Sequence, residues 1–126
     1  MIKLLLVDDE KGITEALKTF FEARGFNVAT APSGEDALNI VNKDKPDIVF
    51  LDIRMRGMSG LDVLEKIKKI NKDIKVIMLT IMEDKEIVDK AAQLGADEYI
   101  TKPFRVDYLE EIVINKVNEL MRDRGK

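Results

Sequence analysis

The sequence predicts an α/β protein, a parallel five-stranded sheet with helices packed on both faces. Three observations lead there. Short apolar runs alternate five times with stretches of helical periodicity. One run, Ile48-Val49-Phe50-Leu51, is apolar without interruption, as expected of a parallel strand covered on both sides. Gly25 and Gly95 directly follow two of the helical stretches, where a C′ glycine ends a helix.

The first strand is read as Ile2 to Val7. The helix after it carries Ile13, Ala16, Leu17, Phe20 and Phe21 at i, i+3, i+4 spacing and stops at Gly25. Phe26 to Ala31 alternates apolar with smaller or polar residues, which suits an edge strand with one face partly exposed. Ser33 is placed as an N-cap, with Asp36 completing a weak capping box, and Ala37, Leu38 and Val41 mark a helix running to about Lys43. The third strand is Ile48 to Leu51. Ser59 and Asp62 resemble a second capping box, and the helix they open presents Val63, Leu64, Ile67 and Ile70.

Ile74 to Thr80 is the fourth strand. Ile87, Val88, Ala91 and Leu94 define the fourth helix, ended by Gly95, and the fifth strand is short, from about Ala96 to Ile100. The last helix carries Leu109, Ile112, Val113, Val117, Leu120 and Met121. The polar tail from Arg122 to Lys126 is expected to fray. Right-handed crossovers leave few ways to connect such an alternation. One domain of 126 residues is expected, without repeats or linkers.

Composition narrows the chemistry. With no cysteine, disulfide frameworks and thiolate metal sites are excluded. With no histidine, Ser-His-Asp and Cys-His catalysis and imidazole-bound zinc are excluded too. Carboxylates, lysines, hydroxyls and backbone groups remain. The formal net charge of −3 argues against a broad nucleic-acid-binding face. The N-terminal apolar run meets Asp8 and Asp9 too soon for a signal peptide, and no segment approaches the roughly 20 apolar residues of a membrane span. A soluble cytoplasmic protein is expected.

In open α/β sheets, ligands bind beyond the carboxyl ends of the strands. The first strand ends in Asp8-Asp9-Glu10, the third in Asp52, the fourth in Thr80 and the fifth in Thr101-Lys102-Pro103. Clustered carboxylates repel one another, and a hard divalent cation relieves that repulsion; Mg²⁺ prefers oxygen ligands of this kind. A carboxylate can attack phosphorus to give an acyl phosphate, with the metal and the Lys102 ammonium offsetting the charge. Singly, each residue has a plainer explanation. Asp8 and Asp9 could cap the first helix, Thr80 could be an ordinary strand-end hydroxyl, and Lys102 an ordinary surface lysine. Asp52 is harder to dismiss, because an acid closing a buried strand is costly without a role. The joint occurrence at four strand ends is what favours a site.

Val7-Asp8-Asp9-Glu10, Leu51-Asp52-Ile53-Arg54-Met55, Leu79-Thr80 and Tyr99-Ile100-Thr101-Lys102-Pro103-Phe104 together resemble the signature of response-regulator receiver domains, over essentially the whole chain. The resemblance implies a doubly wound, flavodoxin-like sandwich with strand order 2-1-3-4-5. It implies that Asp52 takes a phosphoryl group from a phosphohistidine on a sensor histidine kinase or phosphotransfer protein. Asp9, Asp52 and the Arg54 backbone carbonyl would ligate Mg²⁺, with Asp8 bound through water. Lys102 would contact the phosphoryl oxygens. Thr80 and Tyr99 resemble the switch pair of the family, and the Lys102–Pro103 peptide would be cis. The fourth helix, fifth strand and fifth helix would form the output face, toward an effector protein, a further output domain or a phosphorylation-dependent homodimer. Direct nucleic-acid or membrane binding is not expected. A phosphoacceptor of this kind is not a turnover enzyme.

Two departures from the family pattern stand out. Arg56 occupies the position, four residues after the acceptor, where the family has proline, and Gly57 adds freedom to that turn. Ile81 follows the switch threonine where the family has a small residue. Arg54, Ile81 and Met82 are expected to line the mouth of the site and limit attacking water. Two competing readings are a docking module of receiver fold that never takes phosphoryl, and an aspartate-nucleophile phosphatase. The phosphatase typically carries a second acid two residues after the nucleophile, where this chain has Arg54.

Overall fold

The computed structural model describes residues 2–81 and 84–124. The elements alternate strictly: β1 (Lys3–Val7), α1 (Lys11–Glu22), β2 (Asn27–Ala31), α2 (Gly34–Asp44), β3 (Ile48–Asp52), α3 (Gly60–Ile70), β4 (Lys75–Thr80), α4 (Lys85–Gln93), β5 (Glu98–Thr101) and α5 (Val106–Arg124). The strands form one parallel sheet in the order β2-β1-β3-β4-β5. The order reverses between β1 and β3, which opens a crevice at their carboxyl ends.

Period-two alternation along the strands divides the interior into two cores. Leu5, Val7, Val49, Leu51, Val76 and Met78 face α2, α3 and α4, where they meet Ala37, Val41, Val63, Leu64, Ile67 and Ala91. Leu4, Leu6, Ile48, Phe50, Ile77, Leu79 and Ile100 face α1 and α5, where they meet Leu17, Phe21, Leu109, Ile112, Val113 and Leu120. This explains the uninterrupted apolar run in β3, since neither of its faces sees water. Phe21 anchors the α1 side: its ring meets those of Phe20 and Phe26 edge-on and lies tilted against Phe50. Each such fully buried side chain contributes about 1.5–3 kcal/mol of transfer free energy.

Local signals set the helix ends. The Ser33 hydroxyl accepts from the Asp36 N–H and donates to the Asp36 carboxylate, so the box at α2 closes through side chains rather than through the Ser33 amide. Ser59 caps α3 by accepting from the Leu61 N–H, one residue earlier than a capping box would place the bond. Gly25 and Gly95 both take positive φ, at 90° and 99°. At each, the residue after the glycine donates to the carbonyl five residues back, Phe26 to Phe21 and Ala96 to Ala91, the six-to-one bond of a Schellman ending.

Three expectations are corrected. Ile70 and Met121 are exposed rather than packed: Ile70 is the last residue of α3, and Met121 lies on the outer face of α5 with the exposed Ile114, beside the buried Leu120. Ala16 is exposed, and Thr14 is buried on the inner face of α1 instead, its hydroxyl donating to the Lys11 carbonyl. The last helix runs through Arg124. β5 also starts later than expected, because the Ala96 N–H is used in ending α4. Among the described residues, no helix is long and apolar enough to cross a membrane.

Candidate functional site

Asp52 is the last residue of β3, and Asp8 follows β1 directly; both are buried, at 6% exposure each. Their burial follows from the sheet. The Asp8 N–H extends the β1–β2 ladder by donating to the Ala31 carbonyl at 3.2 Å, which holds the residue inside the crevice. Asp9, one residue on, is exposed. The carboxylates of Asp8, Asp9 and Asp52 present oxygens that all lie within 4.8 Å of one another.

Lys102 ties two of these acids together. Its Nζ donates to Asp8 Oδ2 at 2.8 Å and to Asp52 Oδ2 at 3.3 Å. The lysine itself is positioned by its backbone, whose N–H donates to the Thr80 carbonyl at 2.7 Å. The following peptide, Lys102–Pro103, is cis. The remaining oxygens of the two acids are met by backbone: Asp8 Oδ1 accepts from the Glu10 N–H at 2.9 Å, and Asp52 Oδ1 from the Arg54 N–H at 3.0 Å. Helix capping therefore describes Asp8 only in part and Asp9 not at all. Glu10 is the N-cap of α1 without a side-chain cap bond, and Asp9 has no hydrogen bond or ion pair among the described residues.

Burial pushes the Asp52 carboxyl above the ordinary carboxylate value, and the charge of Asp8 adds to this; Lys102 and the Arg54 N–H only partly offset it. For Lys102, burial works to lower the ammonium pKa, but the hydrogen bond to Asp8 and the charges of Asp52 and Asp8 outweigh it, so the value is raised. The ammonium thus stays charged. One ammonium against three carboxylates leaves the cluster short of positive charge. Hard carboxylate oxygens converging at this spacing fit a divalent cation of the Mg²⁺ or Ca²⁺ type rather than a soft metal.

Thr80 closes β4 and is fully buried; in register it faces Thr101 of β5. Tyr99 is half-buried and faces Met78. Met78 and Thr80 are two residues apart on one strand, so Thr80 and Tyr99 share the face of the sheet covered by α4. Ile81 is 63% exposed, and the side chains of Arg54 and Arg56 are exposed beside the cluster. Met82, expected at the same mouth, lies outside the described residues.

Gly60 escaped the sequence reading. A Cβ built there would lie 2.2 Å from the Asp52 carbonyl oxygen and 2.6 Å from the Ile53 Cα. The start of α3 rests directly against the backbone that carries Asp52, and the Gly60 N–H donates to the Ile53 carbonyl at 3.0 Å. The available signal was a glycine straight after an N-cap serine, where most helices tolerate any good helix former. The direct Lys102–Asp8 pairing was also not foreseen, because the two residues are 94 apart in sequence.

A family model for the response regulator receiver domain matches residues 4–114. Over 111 residues the chain is 36% identical to sporulation initiation phosphotransferase F of Bacillus subtilis, covering 88% of this chain and 90% of that protein. It is 41% identical over 122 residues to response regulator SaeR of Staphylococcus epidermidis, which takes in 97% of this chain and 52% of the relative. The chain spans about half the length, or less, of several such relatives. A CheY-like receiver domain protein of Methanospirillum hungatei superposes with a TM-score of 0.95 at 28% identity, covering 98% of both chains. A receiver domain protein of Clostridium thermocellum does so with a TM-score of 0.88 at 35% identity, over 94% of this chain and 96% of the other. With the fold, the acid cluster and these relatives in agreement, the chain belongs to the response regulator receiver domains of two-component signalling.

Proposed function

We propose that this domain accepts a phosphoryl group from a phosphohistidine donor onto Asp52 in a Mg²⁺-dependent reaction. The observation that carries the reading is the placement of Asp52, buried at a strand end, 3.3 Å from the Lys102 ammonium and clustered with two further carboxylates. Asp9, Asp52 and the Arg54 backbone carbonyl would hold the ion, with Asp8 acting through water. Bound there, Mg²⁺ supplies positive charge to the transferring phosphoryl oxygens.

The chain's own residues do the rest. Asp52 attacks phosphorus through a carboxylate oxygen; the new O–P bond forms as the P–N bond to the donor imidazole breaks, and the electron pair leaves on that nitrogen. The Arg54 N–H fixes the orientation of the Asp52 carboxylate through Oδ1, leaving Oδ2 toward Lys102. Lys102, preassembled between Asp8 and Asp52, offsets the charge gathering on the phosphoryl. The Thr80 hydroxyl donates to a phosphoryl oxygen of the product, and Tyr99, on the same face, turns inward behind it. The α4–β5–α5 face then carries the change to an effector protein, to an output domain or to a second phosphorylated copy. The domain works in the cytoplasm as a phosphoacceptor rather than a turnover enzyme. It contacts neither nucleic acid nor membrane itself.

Intact-mass analysis after incubation with acetyl phosphate and Mg²⁺ tests this. One added phosphoryl on the parent protein and none on Asp52→Asn is expected. Absence of an adduct under conditions where Mg²⁺ binds would favour a docking module that never takes phosphoryl. Steady donor consumption without an adduct would favour a phosphatase.

A further inference from the structure

A groove of about 550 Å³ opens beside the acid cluster, lined among others by Asp9, Arg54, Met55, Arg56 and Ser59. Its lining mixes charges: the Asp9 carboxylate belongs to the acid cluster, and Arg54 and Arg56 bring two guanidiniums. Both arginines are exposed, and neither makes an ion pair or side-chain hydrogen bond among the described residues, although Asp9 lines the same groove. An arginine that does not pair with a nearby acid keeps its planar fork for another anion. Arg56 stands on a turn loosened by Gly57, whose φ is 81°. Proline at position 56 would leave the groove without its second guanidinium.

We propose that Arg54 and Arg56 form a recognition site for the leaving group of small acyl-phosphate donors, and select donors whose leaving group carries its own negative charge. This rests on the acceptor role of Asp52. In the step, an Asp52 oxygen bonds to phosphorus while the bond from phosphorus to the acyl oxygen breaks. The donor's acyl group departs as a carboxylate with that electron pair. A second anionic group on the departing molecule then lies along the groove, against the guanidiniums. Both charges are exposed, so the selectivity is modest and falls with salt.

The test compares two donors with one reactive head, 4-carboxybenzoyl phosphate and 4-methylbenzoyl phosphate, which differ in charge at the far end of a rigid ring. Initial rates of phosphoryl addition to the full chain are followed by intact mass at subsaturating donor and fixed Mg²⁺. The carboxylated donor should react about 3–10-fold faster at low ionic strength. The ratio should fall below twofold in 0.5 M salt and in Arg56→Ala, and survive in part in Arg56→Lys. The methyl donor should react with Arg56→Ala at the parent's rate within about twofold. Equal rates for the two donors on the parent protein would overturn the inference and leave the acceptor reading intact. So would a preference that persists in the double variant Arg54→Ala/Arg56→Ala. Failure of both donors and of acetyl phosphate to label Asp52 would overturn the acceptor reading and this inference with it.

Discussion

Replacing Gly60 with alanine puts a methyl carbon 2.2 Å from the Asp52 carbonyl oxygen and 2.6 Å from the Ile53 Cα, both backbone atoms that no side-chain rotation can move aside. Ordinary contact for such a carbon begins near 3.4 Å. The start of α3, the end of β3, or both must therefore shift by about an ångström, in a region packed on every side. Overpacking of this kind costs about 1–3 kcal/mol. Removing a glycine from a helix returns at most about 1 kcal/mol, and less in the first turn. The net is a loss of about 1–2 kcal/mol, or roughly 4–10 °C in Tm for a domain of this size.

Gly12 is the matched control. It lies in the first turn of α1, is exposed, and a Cβ there meets nothing within 4 Å. Gly12→Ala should stabilise by a few tenths to about 1 kcal/mol. Urea unfolding of both variants, with the parent's m-value as a check on the two-state assumption, gives the comparison. Because the displaced backbone carries Asp52, Gly60→Ala should also slow labelling by acetyl phosphate while Gly12→Ala does not. If Gly60→Ala proves as stable as Gly12→Ala and labels normally, the close approach is not what fixes the acceptor, and the reasoning fails.

Lys102→Ala leaves three carboxylates with no ammonium, and should destabilise the metal-free protein at neutral pH by about 2–5 kcal/mol; Mg²⁺ should recover more stability in this variant than in the parent, read as the shift in urea midpoint. Asp52 has a folded-state pKa above its ordinary value of 3.8, so its ionised form weakens the metal-free fold. Acidification from neutral through that raised value relieves the cost, and the relief is complete below 3.8. Asp52→Asn should accordingly be the more stable protein at pH 7, by a margin that shrinks as pH falls toward 4; a margin that stays constant or grows would contradict the assignment. The favourable contribution of Lys102, whose pKa is raised from 10.5, should persist across that range and be lost only as pH rises through its raised value. Ile81→Ala should shorten the phosphoaspartate lifetime several-fold by opening the mouth of the site to water, and an unchanged decay rate by intact mass would rule out that shielding.

The sequence made the layout legible because strand ends are local. Asp8, Asp9, Asp52, Thr80 and Lys102 each terminate or follow a short apolar run, and a parallel sheet necessarily brings such ends to one edge. What stayed hidden depends on contacts between distant segments. Helical periodicity shows the direction of an apolar face but not where that face ends along or around the helix, which is why Ile70 and Met121 emerged exposed. Lys116 falls by spacing on the apolar face of α5, four residues after Ile112 and three after Val113, and it is buried there as a charged residue paired with Glu98 at 3.4 Å and Glu119 at 3.4 Å. Burying a long charged side chain there depends on which β5 residue lies beneath that turn of α5, and periodicity carries no such information. Gly60 likewise has meaning only against the Asp52 carbonyl.

The sheet that separates the two cores also acts as a partition wall. Thr80 and Tyr99 press on the compartment roofed by α2, α3 and α4, whereas their immediate neighbours Leu79 and Ile100 press on the compartment roofed by α1 and α5. A rearrangement around the first pair is therefore a one-room event. It can refill space beneath α4 while Phe21, Phe50 and Leu109 across the wall keep their places. Such a molecule can loosen locally and still keep a rigid half to serve as its frame of reference.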